Sequence, residues 1–279
     1  MATRSPTINV MVRAAERAAR DLKRDFGEVE HLQTSRKGPG DFVSAADLKS
    51  EKTLQRELQK ARPGYGFLME ESGAVAGSDA EHRWLIDPLD GTTNFLHGIP
   101  HFSVSIGLER AGELVAGVVY DPIKDEMFWA EKGIGAYLND RRIRVSSRRH
   151  LEDALLVTGI TPRHRGEDAD RAAFVAQFDA ALAATAGVRR LGSAALDLAY
   201  VAAGRYEAFW EDHLSPWDIA AGIVLVREAG GYVTEIDGGA DMLATGSTFA
   251  ANAALHEQIG RLLRAATPAP APVRDKRAG

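Results

Sequence analysis

A layered α+β fold, with helices packed on sheets and no closed barrel, is what this sequence predicts, and three observations carry the prediction. The chain opens with helical periodicity. A run of short strands joined by tight turns follows as a meander. After about residue 150, strands and helices alternate. A chain of 279 residues can bury about three-quarters of its unfolded surface, so the fold needs no covalent staples.

Pro6 suits a first helical position, and Met11, Ala14, Ala15, Ala18, Leu22 and Phe26 share one helical face. A second helix starts near Ser44, whose hydroxyl suits an N-cap, with Asp47 three residues on. Leu54, Leu58 and Ala61 line one face of it, and Arg62-Pro63-Gly64 ends it. Residues 65–70 and 84–87 are short apolar runs, each ending in acids. Residues 102–108 alternate strictly, as a half-buried strand should. Residues 113–120 and 125–130 continue the meander through turns at Ala111-Gly112 and Pro122. Further on, helices are expected at 168–186, 194–203, 216–229 and 253–264, with strands at 154–158, 206–210, 232–236 and 248–251. Residues 1–264 read as one domain, and the Ala-Pro stretch 265–279 as a disordered tail.

Composition narrows the function classes. The chain is 45% apolar and 26% charged, which is ordinary for a globular protein. It has no cysteine, which excludes disulfide scaffolds, thiolate zinc sites, iron–sulfur clusters and cysteine nucleophiles. Acids outnumber bases 39 to 34, so the net charge of -5 argues against a general binder of nucleic acid or anionic membranes. The best apolar run, residues 219–226, is too short to span a bilayer. The N-terminus has no apolar signal core and carries Glu16, Asp21 and Asp25 among its arginines. A soluble cytoplasmic protein is therefore expected.

The sharpest motif is Trp84-Leu-Ile-Asp87-Pro-Leu-Asp90-Gly-Thr-Thr-Asn-Phe95. An apolar strand delivers Asp87, Pro88 is expected to stop it, and Asp90 lies three residues on, so both carboxylates can converge. Gly91 permits close backbone approach, and Thr92 and Thr93 add hydroxyl and N–H donors suited to a phosphate. Glu70 and Glu71 end another strand, and pairing in one sheet would bring Glu70 beside the aspartates. Crowded carboxylates repel unless a cation neutralises them, and oxygen-only donors select a hard ion, magnesium first and manganese as substitute. Asx turns around Pro88 and Gly91 are the plain structural alternative. The second acidic strand end and the threonines favour the metal. In Ser215-Pro-Trp-Asp218, a helix start, an acid at the third position is by itself more often a cap than a ligand. Asp47 after Ser44 invites the same caution.

Taken together, Asp41-Phe-Val-Ser-Ala-Ala-Asp47, Met69-Glu70-Glu71-Ser72, the Asp87–Asp90 motif and Pro216-Trp-Asp218-Ile-Ala-Ala-Gly resemble, in order and spacing, the inositol monophosphatase family of magnesium-dependent, lithium-sensitive phosphatases. The resemblance covers roughly residues 8 to 264. It implies an α/β/α/β/α sandwich of the inositol monophosphatase and fructose-1,6-bisphosphatase type, and a homodimer. It also implies that Glu70, Asp87 and the carbonyl of Leu89 hold one magnesium, and that Asp87, Asp90 and Asp218 hold a second, with a third, weaker ion on Glu70. Asp47 and Thr92 then orient and deprotonate a metal-activated attacking water. Asp90 and the N–H groups of Gly91 and Thr92 meet the phosphate region. Glu211 accepts hydrogen bonds from substrate hydroxyls, and Gly192, Ser193 and Ala194 line the same pocket. Gly192-Ser193 could equally be only a helix cap.

Two departures stand out. Serine replaces the family threonine at Ser44, and Arg36 and Lys37 compete for the place of the family lysine before a tight Gly38-Pro39-Gly40 turn. The activity implied is hydrolysis of a small phosphomonoester, with inositol monophosphate the default. Histidinol phosphate is the first alternative, ahead of fructose 1,6-bisphosphate, 3′-phosphoadenosine 5′-phosphate and NADP. A different class is an interaction protein of the transcription machinery, since some family members bind it. Other signals carry less. Gly133-Ile-Gly135 lacks the third glycine of a dinucleotide loop, with Leu138 in its place. His97 and His101 are separated by Gly98 and Pro100, which oppose the helix a zinc pair would need. The clusters Arg141-Arg142-Ile-Arg144 and Arg148-Arg149-His150 read as a solvated edge.

Overall fold

The computed structural model describes residues 3–26, 34–38, 41–160 and 168–267. Helix α1 (Pro6–Phe26) leads into a hairpin of β1 (Thr34–Gly38) and β2 (Asp41–Ser44), then α2 (Ala45–Ala61). Next come β3 (Gly66–Met69), β4 (Gly73–Val75), β5 (His82–Asp90), the short α3 (Thr92–Leu96), β6 (Ser103–Arg110), β7 (Glu113–Asp121), β8 (Glu126–Glu131), β9 (Gly135–Leu138) and β10 (Arg141–Ile143). The second half holds β11 (Leu155–Thr158), α4 (Asp168–Ala184), β12 (Gly187–Arg189), α5 (Ala194–Ala202), β13 (Ala208–Glu211) and α6 (Pro216–Glu228). It closes with β14 (Tyr232–Thr234), the single turn α7 (Met242–Thr245), β15 (Thr248–Ala251) and α8 (His256–Ala266). The side chains of Arg36, Lys37 and Ser44, the Pro39-Gly40 turn and the tail from residue 268 lie outside the described residues. Helix α8 runs two residues into the stretch read as tail.

An eight-stranded sheet in the order β10-β9-β8-β7-β6-β5-β3-β4 and a five-stranded sheet in the order β12-β11-β13-β15-β14 form the two β layers. Helices α1 and α2 cover the outer face of the large sheet, α5 and α6 lie between the sheets, and α4 and α8 cover the small one. That is the α/β/α/β/α sandwich expected. Each interface has its own apolar core. Trp84, Ile86 and Val104 pack under α1 and α2. Phe128, Val157 and Phe209 enclose α5 and α6, and Trp210 and Phe249 lie under α8. Each such buried side chain stabilises the fold by about 1.5–3 kcal/mol. Among the described residues, no helix is long and apolar enough to cross a membrane.

Two expectations are corrected. Strand β5 does not stop at Pro88 but runs to Asp90. Its pairing with β6 slips between Asp87↔Ser105 and Asp90↔Ser103, so a bulge accommodates the proline, whose missing N–H a regular ladder would have required. Strand β6 is buried on both faces rather than half-buried. Its alternation separates large residues facing α1 from small ones facing α6. A Cβ on Gly107 would stand 2.6 Å from the Cβ of Ala220, and one on Gly117 would stand 2.5 Å from the carbonyl oxygen of Ala221. The missing side chains let α6 lie directly on the sheet, and α6 carries Asp218.

Candidate active site

Parallel pairing of β3 with β5 sets Met69 against Ile86, and the N–H of Glu70 donates to the Ile86 carbonyl at 3.2 Å. Glu70 is thereby delivered beside Asp87. The Asp87 carboxylate accepts the Leu89 N–H at 2.9 Å, an Asx turn inside the bulge. That turn aims Asp90 to the same side. Asp90 accepts from the hydroxyl of Ser193 and, at 2.8 Å, from the N–H of Ala195. Ser193 is the N-cap residue of α5 by position, but its side chain caps nothing and serves Asp90 instead. Asp218 arrives at the first turn of α6, where its carboxylate accepts the Ser215 N–H at 2.8 Å. It therefore caps its helix and also faces the other acids.

Electrostatics shows how closely the acids gather. Burial pushes the Asp87 carboxyl well above the usual carboxylate range, and Glu70, Asp90 and Asp218 push it further. Burial lifts Asp90 to about 6, against the downward pull of hydrogen bonds from Ser193, Ala195, Ala194 and Ser103. Among the described residues, no three acids or histidines are drawn up into a closed metal-holding cluster. The fit to a hard divalent cation is therefore one of donor chemistry: convergent carboxylates, the Leu89 carbonyl beside them, and a mutual repulsion that a cation reverses in sign.

Helix α2 supplies the other wall. Asp47, Ser50 and Glu51 stand at i, i+3 and i+4 on one face, and all three are buried. Asp47 Oδ1 and the Leu89 carbonyl oxygen each lie 3.0 Å from Thr92 Oγ1. Ser50 donates to the Pro88 carbonyl at 2.7 Å, clamping the bulge. Glu51 accepts the Glu71 N–H at 2.8 Å and the Ser72 hydroxyl, holding the turn that carries Glu70. Sequence reasoning passed over Ser50 and Glu51. The available signal was that Leu54 and Leu58 continue their stripe at helical spacing, so the polar residues upstream share a buried face.

Gly91 has φ 95°, and a Cβ there would stand 3.2 Å from the carbonyl oxygens of both Gly192 and His101. The turn at Gly91 thus touches the Gly192 loop backbone to backbone. Asn94 fixes that contact by donating to His101 and Leu191 carbonyls at 2.8 Å each. His97 and His101 follow α3 rather than sharing a helix.

Asp197 was not foreseen either, although an acid inside the apolar run Ala194-Ala-Leu-Asp-Leu-Ala-Tyr was a visible signal. It is buried, and neither carboxyl oxygen has a partner. Burial drives its carboxyl well above the usual range, Glu211 and Asp90 add to that, and Arg190 opposes it. The folded state therefore keeps a proton that the unfolded chain releases above about pH 4, so Asp197 opposes folding more as pH rises. Asp197→Asn is expected to stabilise the metal-free protein by about 1–3 kcal/mol at pH 7, a gain that shrinks as pH falls toward 4. Denaturant unfolding at both pH values checks it, and an unchanged stability at pH 7 would refute the argument.

The arrangement has counterparts. The model of the inositol monophosphatase family matches residues 3–267. An inositol-1-monophosphatase of Mesorhizobium japonicum is 58% identical over 256 residues, 92% of this chain and 95% of that one. The Nus factor SuhB of Pseudomonas aeruginosa is 45% identical over 249 residues, 88% of this chain and 92% of its own. The crystal structure of the extragenic suppressor protein SuhB from Bartonella henselae superposes with a TM-score of 0.89 at 54% identity, covering 93% of this chain and 99% of that one. A match over nearly the whole chain, on a five-layer sandwich that gathers its acids between β3, β5 and α6, places this phosphomonoesterase in the inositol monophosphatase family.

Proposed function

We propose that the chain hydrolyses a small polyol phosphate, inositol monophosphate first, at the site between β5, α2 and α6. The observation that carries this is the gathering of Glu70, Asp90 and Asp218 around the buried Asp87, with the Thr92–Asp47 pair alongside at 3.0 Å. In this reading Glu70, Asp87 and the Leu89 carbonyl hold one magnesium and Asp87, Asp90 and Asp218 another, with a third, weaker ion on Glu70 and manganese a workable substitute. The ions, when bound, supply charge neutralisation and acidify water.

The chain's own groups do the rest. Thr92 Oγ1 has one proton and two acceptors at equal distance. With that proton on the Asp47 carboxylate side, a lone pair of Oγ1 is left to accept from a water, which relays the water's proton toward Asp47. Asp47 is fully buried, so the relay is shielded from bulk solvent. Helix α3 starts at Thr92, so the N–H groups of its first turn have no partners within the helix, and with Gly91 they suit phosphate oxygens. Gly192, Ser193 and Ala194 line the leaving-group side, and Glu211 meets its hydroxyls. A cytoplasmic homodimer is part of the reading, on the strength of the family resemblance.

Phosphate release tests it, across inositol 1-phosphate, histidinol phosphate, fructose 1,6-bisphosphate, 3′-phosphoadenosine 5′-phosphate and NADP. Inositol 1-phosphate is expected to be preferred by at least about tenfold in kcat/KM. Activity should vanish with EDTA, return with magnesium and fall with lithium. Preference for histidinol phosphate would move the assignment to that substrate. The relatives named Nus factor SuhB favour a second reading, a binding role in the transcription machinery. Recovery of such partners by an Asp87→Asn variant as well as by the wild type would support it.

A further inference from the structure

Strands β11 and β13 run parallel with Thr158 opposite Trp210, and the Thr158 hydroxyl donates to the Trp210 carbonyl at 2.6 Å. The next residue on each strand is Gly159 and Glu211. A Cβ built on Gly159 would fall 1.9 Å from Oε2 of Glu211, 2.0 Å from its Cδ and 2.1 Å from its Oε1. The three distances are nearly equal, so the carboxylate is centred where the side chain of residue 159 would stand. Gly159 is buried and is not among the residues with positive φ, so the backbone does not itself demand glycine. The demand is for space, and the Glu211 carboxyl group takes it. On the neighbouring α5, Asp197 faces the same carboxylate as a buried acid without partners.

We propose that Gly159 is a specificity-determining position: by having no side chain it seats the Glu211 carboxylate where that group can accept hydrogen bonds from the additional hydroxyls of a polyol phosphate. Gly159 acts only through Glu211, as a positioning residue, and the inference rests on the reading of Glu211 as the hydroxyl acceptor. A methyl group there pushes the acceptor aside and leaves the phosphate end of the site untouched. The consequence is a loss of discrimination rather than a loss of turnover.

The test is Gly159→Ala, assayed with magnesium on inositol 1-phosphate and on cyclohexyl phosphate, which offers the same ring size without further hydroxyls. KM for inositol 1-phosphate is expected to rise about tenfold with kcat within about twofold, while kcat/KM for cyclohexyl phosphate changes by no more than about twofold. Glu211→Gln is assayed in parallel, and the double variant should lose no more discrimination than Glu211→Gln alone. If Glu211→Gln abolishes the preference for the polyol and Gly159→Ala keeps it, the inference is overturned while the reading of Glu211 stands. If Glu211→Gln leaves the preference intact, the reading of Glu211 fails and takes the inference with it. Equal losses on both esters in Gly159→Ala, with a lowered melting temperature, would mark a packing role and overturn the inference as well.

Discussion

Asp87→Asn is expected to lower turnover by at least about a thousandfold and yet to make the metal-free protein more stable. Both effects come from the same geometry. Asp87 is buried with Glu70, Asp90 and Asp218 around it, and each raises the cost of its charge. Asparagine keeps the shape, and its oxygen can still accept the Leu89 N–H that forms the turn. Removing the charge relieves the repulsion, for a gain of about 1–3 kcal/mol in the absence of magnesium. The gain has a definite pH sense. A carboxyl raised in the folded state opposes folding above the unfolded value, so the variant's advantage grows as pH climbs from about 4. Magnesium should reverse the ranking. A ligand at a hundred times its Kd stabilises the wild type by about 2.7 kcal/mol, and a variant lacking the Asp87 carboxylate should gain far less. Thermal melts with and without magnesium, beside phosphate release, read all of this. Turnover within tenfold of wild type, or an equal magnesium gain, would sink the two-metal reading.

Much of this architecture is legible in the chain because its governing features are local. Helix α1 follows from Pro6 and an unbroken apolar stripe, and α6 from Ser215, Pro216 and Asp218. The acids Glu70 and Asp218 are legible because each sits where an element begins or ends, and Asp87 and Asp90 because they flank Pro88 in one compact motif. What escaped depends on neighbours far along the chain. Strands β4, β9, β10 and β12 are three or four residues long, too short to establish a period. The small face of β6 reads as solvent-facing until α6 is laid on it. Pro88 reads as a terminator because nothing local announces a bulge. Glu51 and Asp197 were passed over, and it is the packing of α2 and α5 that buries them.

Asp47→Asn is expected to cut kcat by about a hundredfold to a thousandfold while the magnesium concentration giving half-maximal rate moves by less than about threefold. The reason lies in a single hydroxyl. Thr92 Oγ1 lies 3.0 Å from Asp47 Oδ1 and 3.0 Å from the Leu89 carbonyl. In the proposed relay, a carboxylate at Asp47 draws the Thr92 proton and leaves an oxygen lone pair for the water. An asparagine amide can instead donate to Oγ1, which fills that lone pair and turns the hydroxyl proton to Leu89. The relay is then reversed in polarity although nearly every atom keeps its place. Thr92→Ala should cost about as much, Thr92→Ser much less, and the double change little more than either single change, since the two groups act as one unit. The alternative has a distinct signature. A magnesium requirement raised tenfold or more in Asp47→Asn, with kcat recovering at saturation, would make Asp47 a metal ligand and leave the proton without this route.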